Sequence, residues 1–490
     1  MKDVLNSFEW AVLGYFLVVN GFYLVLLGCA TLEMRRHLLR IREETRWRVH
    51  RSRAAPTVSM LVPAHDEAAT VVDSVRALLT LHYPNLEVVV VNDGSTDETL
   101  AILERAFELV AVHPIYHRRL EHREVRGMYR SSAYTDLVVV DKLNGGKADA
   151  LNAALNSATG ELVCAIDADT LIEPDGLLRM ARPFLQGEGV VAAGGTIRVA
   201  NGSDVKGGRV QLARAPRRPL AGIQAVEYLR AFLFGRLGWN RLGGNLIISG
   251  AFGLFRRETV ISAGGYMYGT VGEDMELVAR LRRQGVERGT PHRVEFIPDP
   301  VAWTQVPESL RVLGRQRDRW QRGLADVAWR YRDVAMKPRY GTLGLVALPY
   351  FIVIELLAPV VEALGLVGLA VGLPLGAVDR SFALLFFLVA YGFGVLLSMI
   401  TLLFDEFTSQ GTVPMRDRLL MMLWAVLESF GYRQLMTFWR LRGLVKYLRG
   451  NKDWGVMTRE GFAEAEERGE VGTALAKAEQ RGMALPRARR

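Results

Sequence analysis

The stretch GELVCAIDADTL, residues 160–171, contains an apolar run that ends in two closely spaced carboxylates. Leu162 to Ile166 is short, fully apolar and bounded by turn residues, which predicts a buried strand. Asp167 and Asp169 follow at its carboxyl end. Two like charges this close repel each other unless a positive charge lies between them. The stretch therefore raises the question of which positive group the two aspartates hold.

Three earlier segments repeat this pattern of an apolar strand, a polar strand end and a helix. They are TVSMLVPAHDEA (residues 57–68), LEVVVVNDGSTD (86–97) and DLVVVDKLNGGK (136–147). Alternation of apolar strands with helices predicts an α/β domain whose mostly parallel sheet is covered on both faces. Ligands of such domains bind beyond the carboxyl ends of the strands. We therefore expect the four polar strand ends, residues 63–67, 92–93, 141–147 and 167–169, to meet in one crevice.

Each of these strand ends is ambiguous when it is taken alone. The Asn-Asp-Gly sequence at 92–94 is ordinary turn chemistry, and an isolated D-x-D is more often a surface turn than a metal site. The NGGK sequence at 144–147 suits a phosphate, because two glycines and a lysine precede a helix, but it lacks the spacing of a P-loop. The indication of a ligand site comes from four such endings in consecutive strand–helix units.

Composition indicates a soluble domain joined to membrane segments, because half of the 490 residues are hydrophobic while 23% are charged. Residues 8–30 are predicted to be an uncleaved membrane anchor. Eight arginines follow between residues 35 and 53. The positive-inside rule then predicts an external N-terminus and a cytoplasmic domain.

Three further hydrophobic blocks follow the predicted domain. Residues 343–375 and 382–403 are predicted to cross the membrane. The block 419–445 contains a glutamate and three arginines, so we expect it to lie at the membrane interface, with a further crossing as the alternative.

The remaining composition excludes some classes of function. The net charge of +9 comes largely from basic residues that flank membrane segments, so nucleic-acid binding is not expected. The two cysteines, Cys29 and Cys164, lie in the anchor and in a predicted buried strand, which does not suggest a disulfide or a zinc site.

Seven motifs occur in order between residues 58 and 320: VPAHDEA, VNDGSTD, GGKADALN, DADT, SGAFGLFRRE, GED and QRDRW. This ordered set resembles the GT-A glycosyltransferases, in particular the membrane-embedded processive synthases of cellulose, chitin, hyaluronan and poly-N-acetylglucosamine. The resemblance implies a Rossmann-like GT-A domain, a UDP-sugar donor and a growing glycan acceptor. It also implies that the positive group beside the aspartates is Mg²⁺ or Mn²⁺, hard ions that bind carboxylate and phosphate oxygens.

The resemblance further implies roles for individual residues. Asp169 would contact the metal together with Asp167, which would also contact the nucleoside. The donor-binding set would be Pro63, Ala64, Glu67, Asp93, Lys147, Asp167 and Arg319, and the acceptor-binding set would be Ser249, Gln316 and Trp320. QRDRW can also be explained as part of an amphipathic interface helix. This structural role is compatible with the binding roles of its residues.

Asp274 of the GED motif is expected to be the general base. An isolated aspartate at the start of a helix is more often a cap, but this one falls on the base of the family's T-E-D motif, with Gly272 in place of the threonine. An ionised Asp274 could accept the proton of the attacking hydroxyl. A single displacement would invert the anomeric configuration.

The expected organisation is an anchor (1–34), a basic linker (35–56), a cytoplasmic GT-A domain (57–304), an interface-helix region (305–341), membrane or interfacial helices (342–446) and a cytoplasmic tail (447–490). The expected function is polymerisation of a sugar at the plasma membrane for an exopolysaccharide, with membrane lipid and accessory export proteins considered as partners. Glu355 and Glu362 are expected to serve a polysaccharide channel. One alternative is a non-processive lipid glycosyltransferase, and another is a non-catalytic membrane receptor or secretion component.

Overall fold

The computed structural model describes residues 2–44, 55–113, 116–167, 170–206, 208–290, 292–376, 378–409 and 413–451. The strands are β1 (Val58–Ala64), β2 (Leu86–Asp93), β3 (Leu109–Val112), β4 (Val125–Ser131), β5 (Leu137–Lys142), β6 (Leu162–Ile166), β7 (Leu171–Ile172), β8 (Val190–Val199), β9 (Asp204–Lys206), β10 (Arg209–Leu212), β11 (Phe252–Arg256) and β12 (Arg293–Thr304).

The helices of the sheet domain and its surroundings are α1 (Lys2–Glu44), α2 (Val71–Leu79), α3 (Thr99–Phe107), α4 (Lys147–Ser157), α5 (Gly176–Gln186), α6 (Pro219–Leu229), α7 (Leu237–Leu242), α8 (Arg257–Ser262), α9 (Glu273–Glu287) and α10 (Leu310–Arg330). The later helices are α11 (Leu348–Tyr350), α12 (Ala358–Gly372), α13 (Arg380–Phe387), α14 (Phe393–Ser409), α15 (Met415–Leu427) and α16 (Arg433–Leu448). Segments with π-helical hydrogen bonding are Arg230–Arg236, Leu343–Ala347, Phe351–Leu356, Leu388–Gly392 and Glu428–Tyr432, and Pro338–Tyr340 is a short 3-10 helix.

Ten strands form one sheet in the order β3-β4-β5-β2-β1-β6-β11-β8-β12-β7. The central strands β5, β2, β1 and β6 are mutually parallel. Their side chains pack alternately into two cores, so that Met60 and Val62 of β1 lie in one core while Leu61 lies in the other. Residues buried on both faces explain why these strands are continuous apolar runs in the sequence. The prediction of a mostly parallel α/β domain is confirmed.

The strand register brings the polar strand ends to one edge of the sheet. Ala64 of β1 pairs with Asn92 of β2, and Asp93 of β2 pairs with Lys142 of β5. Strand β6 runs parallel to β1 and ends at Ile166, directly before Asp167. The polar strand ends therefore lie at one edge of the sheet, as expected.

Three helices of the described chain are long and apolar enough to cross a membrane: Trp10–Arg40, Leu343–Gly372 and Arg380–Thr408. They coincide with the three spans predicted from the sequence and indicate a membrane protein. The helix that carries the anchor continues to Glu44, beyond the expected boundary at residue 34. Residues 45–54 of the expected basic linker (35–56) lie outside the described residues.

The last hydrophobic block is not one continuous helix. Helices α15 and α16 are separated by non-helical backbone at Phe430 and Gly431, where Gly431 has a φ of +82° that favours glycine. Neither helix is among the three that could cross a membrane. The interfacial position of the block 419–445 stays a prediction.

Candidate active site

The loop before α4 is held by a buried network of charges. The Lys142 ammonium is fully buried and contacts both the Asp93 carboxylate and Asp149 Oδ1, the latter at 2.6 Å. Asp93 Oδ1 and Oδ2 accept hydrogen bonds from Gly145 N at 3.0 Å and Gly146 N at 2.7 Å. The network therefore positions the glycine turn that leads directly into Lys147.

Lys147, the first residue of α4, provides a positive charge beside the β6 aspartate. Its Nζ lies 2.8 Å from Asp167 Oδ1 and 3.2 Å from Glu273 Oε1. Burial alone would lower the pKa of Lys147, but the charges of Asp167 and Glu273 outweigh burial and raise it. Burial raises the pKa of Glu273 against the opposing charge of Lys147. A lysine from the neighbouring strand–helix unit thus contacts Asp167.

Asp274 is oriented by the backbone at the start of α9. Its Oδ1 accepts a hydrogen bond from Met275 N at 2.8 Å, and its Oδ2 accepts one from Gly250 N at 3.1 Å. Gly250 follows Ser249 in the SGAFGLFRRE segment, which then forms β11. Two backbone N–H donors therefore fix the orientation of the carboxylate.

Close packing explains why Gly272 stands in place of the threonine of the T-E-D pattern. A Cβ atom at Gly272 would lie 3.3 Å from the Cα atom of Gly323, and one at Gly323 would lie 3.2 Å from the Cα atom of Gly272. Two glycines thus let the start of α9 approach the middle of α10 at backbone distance. This contact brings Asp274 close to the helix that carries QRDRW.

Helix α10 presents an aromatic surface beside these carboxylates. The Trp320 side chain is 43% exposed, and the Arg317 guanidinium lies 4.4 Å from the centre of its ring. Arg317 Nη1 and Nη2 donate to the Glu227 carboxylate at 2.7 and 2.8 Å. Gln316 is buried, and its Oε1 has no hydrogen-bond partner among the described residues.

One cavity of about 1350 Å³ joins these groups to the membrane helices. Its lining includes seven residues expected at the site: Lys147, Asp167, Ser249, Asp274, Gln316, Arg319 and Trp320. It continues between helices of the membrane segments to Glu355 and Glu362. Pro63, Ala64, Glu67 and Asp93 lie at neighbouring strand ends but do not line it. Asp169 lies outside the described residues.

Sequence reasoning missed several residues of the cavity wall, among them Glu273, Tyr228 and Arg236. Glu273 could have been found, because it precedes Asp274 in the GED motif. Tyr228 and Arg236 lie in a largely apolar helical stretch that carries no motif, so only the packing of the chain reveals them.

The side chains of the described residues show whether a divalent metal fits at this cavity. Among them, no group of three or more His, Cys, Asp or Glu side chains is arranged to hold a metal ion. Asp167 nevertheless directs a carboxylate into the cavity wall and already binds a cationic group, the Lys147 ammonium. Carboxylate oxygen is the donor that Mg²⁺ and Mn²⁺ prefer. The chemistry of this donor fits such an ion.

Comparison with known families agrees with this geometry. Residues 59–262 match the model of glycosyl transferase family 2, and residues 162–399 match that of glycosyl transferase family group 2. The sheet and these matches indicate a glycosyltransferase whose α/β domain is similar to those of glycosyl transferase family 2.

Particular relatives narrow the comparison. Over 274 residues the chain is 28% identical to the poly-beta-1,6-N-acetyl-D-glucosamine synthase of Staphylococcus epidermidis, with 56% of each chain covered. Over 283 residues it is 26% identical to the same enzyme of Staphylococcus aureus strain COL, with 58% of each chain covered. The chain therefore aligns with a little over half the length of these relatives. Among solved structures, a mannosyltransferase from Pyrobaculum calidifontis in complex with GDP-Man and Mn²⁺ is 20% identical, with 88% of this chain and 99% of that chain covered and a TM-score of 0.48.

Proposed function

We propose that this chain polymerises a sugar from a UDP-sugar donor, with inversion at the anomeric carbon, and passes the glycan between its membrane helices. The observation that carries the proposal is the single cavity that contains Lys147, Asp167 and Asp274 at one end and Glu355 and Glu362 at the other. A transferase that releases a small product has no need for a cavity that continues along membrane helices. The similarity to poly-N-acetylglucosamine synthases makes UDP-N-acetylglucosamine the first donor to test.

The proposed chemistry places one proton transfer at Asp274. Its carboxylate, oriented by Met275 N and Gly250 N, takes the proton of the acceptor hydroxyl. The hydroxyl oxygen bonds to the anomeric carbon as the bond from that carbon to the diphosphate oxygen breaks. Lys147 is placed to offset negative charge on the departing UDP. When bound at Asp167 and Asp169, a divalent cation would supply further electrostatic stabilisation of the diphosphate.

The ion pairs in the wall of the membrane part of the cavity support the proposal that a neutral, hydroxyl-rich polymer passes through it. Glu355 lies 3.7 Å from Arg440, Glu362 lies 2.5 Å from Arg433, and Glu428 accepts from Arg230 at 2.6 Å. Charges within membrane segments are stable when they pair or face a polar cavity. These Glu–Arg pairs still offer hydrogen-bonding groups to the hydroxyls of a glycan. Because the charges of each pair cancel, the cavity wall has no net charge that would retain a charged polymer.

Product analysis tests the proposed function directly. Membranes that contain the protein would be incubated with radiolabelled UDP-N-acetylglucosamine and with other common UDP-sugars in turn. We expect labelled material of high molecular mass that lipid extraction does not remove. A lipid-extractable monosaccharide as the sole product would establish the lipid glycosyltransferase instead. Absence of UDP release with every donor would favour the non-catalytic receptor.

Replacing Trp320 by alanine is expected to lower polymer formation at least about tenfold, while UDP affinity changes by less than about twofold. An exposed indole face can stack on the apolar face of a sugar ring, and a growing glycan presents such a ring after every addition. The control is Trp329→Ala, because Trp329 lies on the same helix, is 62% exposed and also stacks with an arginine, Arg332, yet does not line the cavity. Equal polymer yields from the two variants would contradict the acceptor role of Trp320.

Removal of divalent metal is expected to abolish transfer and weaken UDP binding. EDTA should have this effect, and Mn²⁺ or Mg²⁺ should restore activity, because the carboxylates of Asp167 and Asp169 and the diphosphate repel each other without a cation. Asp169→Ala should reproduce the loss, and metal should not restore it. Asp175→Ala serves as the control, since Asp175 is exposed and pairs with His82. Full activity in metal-free buffer would refute the metal requirement.

The proposed orientation places the GT-A domain in the cytoplasm, where UDP-sugars are made. It is supported by the arginines that follow the first span. Cysteines introduced at Ser7 and Ser132 should react with an impermeant thiol reagent from outside and from inside the cell, respectively. The unmodified chain, with Cys29 and Cys164, measures background labelling. The reverse labelling pattern would contradict this orientation.

A further inference from the structure

Arg236 is a cavity-lining arginine whose hydrogen-bonding capacity is not filled. It ends the π-helical segment Arg230–Arg236 and lines the cavity that contains Asp274. Its guanidinium lies 4.2 Å from the centre of the Phe232 ring. Its Nη1 atom is buried and has no hydrogen-bond partner among the described residues. Buried donors without a partner are uncommon, and each calls for an explanation.

Other arginines of the same cavity differ from Arg236 because they pair with glutamates. Arg230 pairs with Glu428, Arg317 with Glu227, Arg433 with Glu362 and Arg440 with Glu355. Arg236 has no such partner in the described chain. Burial lowers the pKa of Arg236 to about 10, although the charge of Asp274 opposes this effect. The Arg236 guanidinium is therefore desolvated without compensation from an ion pair.

The neighbours of Arg236 place it on the acceptor side of the base. Its electrostatic partners are Asp274 and Tyr228, and the Tyr228 ring lies 6.5 Å from the Trp320 ring. The electrostatic partners of Lys147 are Asp167, Glu273 and Asp274. Asp274 is common to both sets, and all three residues line the same cavity as Trp320.

A buried acceptor without a partner also belongs to a residue of this cavity wall. Gln316 Oε1 has no hydrogen-bond partner in the described residues, and Gln316 lies one helical turn before Trp320. The residues of the cavity wall thus offer two unfilled donors, Arg236 Nη1 and Arg317 Nε, and an unfilled acceptor, Gln316 Oε1. A sugar hydroxyl can both donate and accept, and a ring oxygen can accept.

We propose that Arg236 is an acceptor-binding residue that donates a hydrogen bond to the terminal sugar of the glycan while Gln316 Oε1 accepts one, so that the attacking hydroxyl faces Asp274. This inference rests on the proposed function and adds to it a residue that selects a hydroxylated sugar over water as the acceptor. Arg236 acts on the acceptor and leaves the donor contacts at Lys147 and Asp167 intact.

The experiment measures separately how much donor sugar is transferred to glycan and how much is hydrolysed to free sugar. Purified protein with UDP-N-acetylglucosamine would be assayed for labelled polymer, free N-acetylglucosamine and UDP affinity. Arg236→Met keeps the apolar contact with Phe232 but removes the donor atoms. We expect polymer formation to fall about 10–100-fold, the effect of losing a hydrogen bond to a charged group. Hydrolysis and UDP affinity should stay within about twofold, which also shows that the variant is folded.

Matched variants make the result specific. Arg241→Met applies the same change to an exposed arginine on the neighbouring helix α7 that does not line the cavity, and it should leave polymer formation unchanged. Arg236→Met combined with Gln316→Met should lose less than the product of the two single effects, because both atoms bind one sugar.

Three outcomes would overturn the inference. The first is polymer formation by Arg236→Met at the level of Arg241→Met. The second is a loss of UDP affinity that accounts for the whole loss of polymer, which would place Arg236 on the diphosphate. The third is absence of transfer by the unmodified protein from every UDP-sugar, which would refute the proposed function and the acceptor role together. In the first two outcomes the unmodified protein still makes polymer, so the proposed function stands.

Discussion

Replacing Asp274 by asparagine is expected to lower sugar transfer by about 10²–10⁴-fold, the usual contribution of a general base. Asparagine keeps the size of the side chain, and its carbonyl can still accept one of the hydrogen bonds from Met275 N and Gly250 N. It cannot take a proton from the acceptor hydroxyl. UDP affinity should remain within about twofold, because the described donor-side contacts at Lys147 and Asp167 are unchanged.

Steady-state release of UDP and equilibrium UDP binding would be measured on the same preparations of this variant. Asp333→Asn is the matched control, since Asp333 is a part-exposed aspartate that pairs with Arg283 and does not line the cavity. If Asp274→Asn retains transfer within a few-fold of the control, Asp274 is not the base. Glu273 is then the next carboxylate to test, by Glu273→Gln, because burial raises the pKa of Glu273 and makes it a better proton acceptor.

Replacing Lys142 by methionine is expected to destabilise the domain by about 3–5 kcal/mol, which is the cost of removing one partner from a buried ion pair. The Lys142 side chain is 0% exposed, and its partners Asp93 and Asp149 are 4% and 6% exposed. Methionine fills much of the same volume but leaves two buried carboxylates without their cation. For a domain of this size, about 2–4 °C per kcal/mol corresponds to a fall in the unfolding midpoint of roughly 6–20 °C.

Thermal unfolding in detergent would measure this effect. Lys206→Met, an exposed lysine on β9, should change stability by less than about 0.5 kcal/mol. Adding Asp149→Asn to Lys142→Met should recover part of the loss, because one unpaired buried charge is removed. An unfolding midpoint for Lys142→Met equal to that of Lys206→Met would show that the network is not buried in the folded protein. Transfer should also fall in Lys142→Met, since Asp93 holds the glycine turn that positions Lys147.

Some of the site could not be predicted from the sequence because its contacts join distant residues. Lys147 and Asp167 are 20 residues apart, and nothing local shows that the lysine reaches that carboxylate. Asp93 was expected to bind the donor, and the structure shows that both of its carboxylate oxygens accept hydrogen bonds, from Gly145 N and Gly146 N. Its contact with the donor stays a prediction, as does the metal contact of Asp169, which lies outside the described residues.

The sequence by itself determined the parallel core of the sheet, the crevice at its carboxyl edge and the three helices that could cross a membrane. These features follow from local patterns, since a strand buried on both faces must be apolar throughout and a membrane-crossing helix must be long and apolar. The tertiary structure alone decided that β11 enters the sheet antiparallel between β6 and β8, and that Gly272 meets Gly323. It also decided that Arg236 and Asp274 line one cavity and that Arg236 Nη1 has no hydrogen-bond partner among the described residues. The physical reason is that these features depend on close approach and charge pairing between segments far apart in the chain, which no local period records.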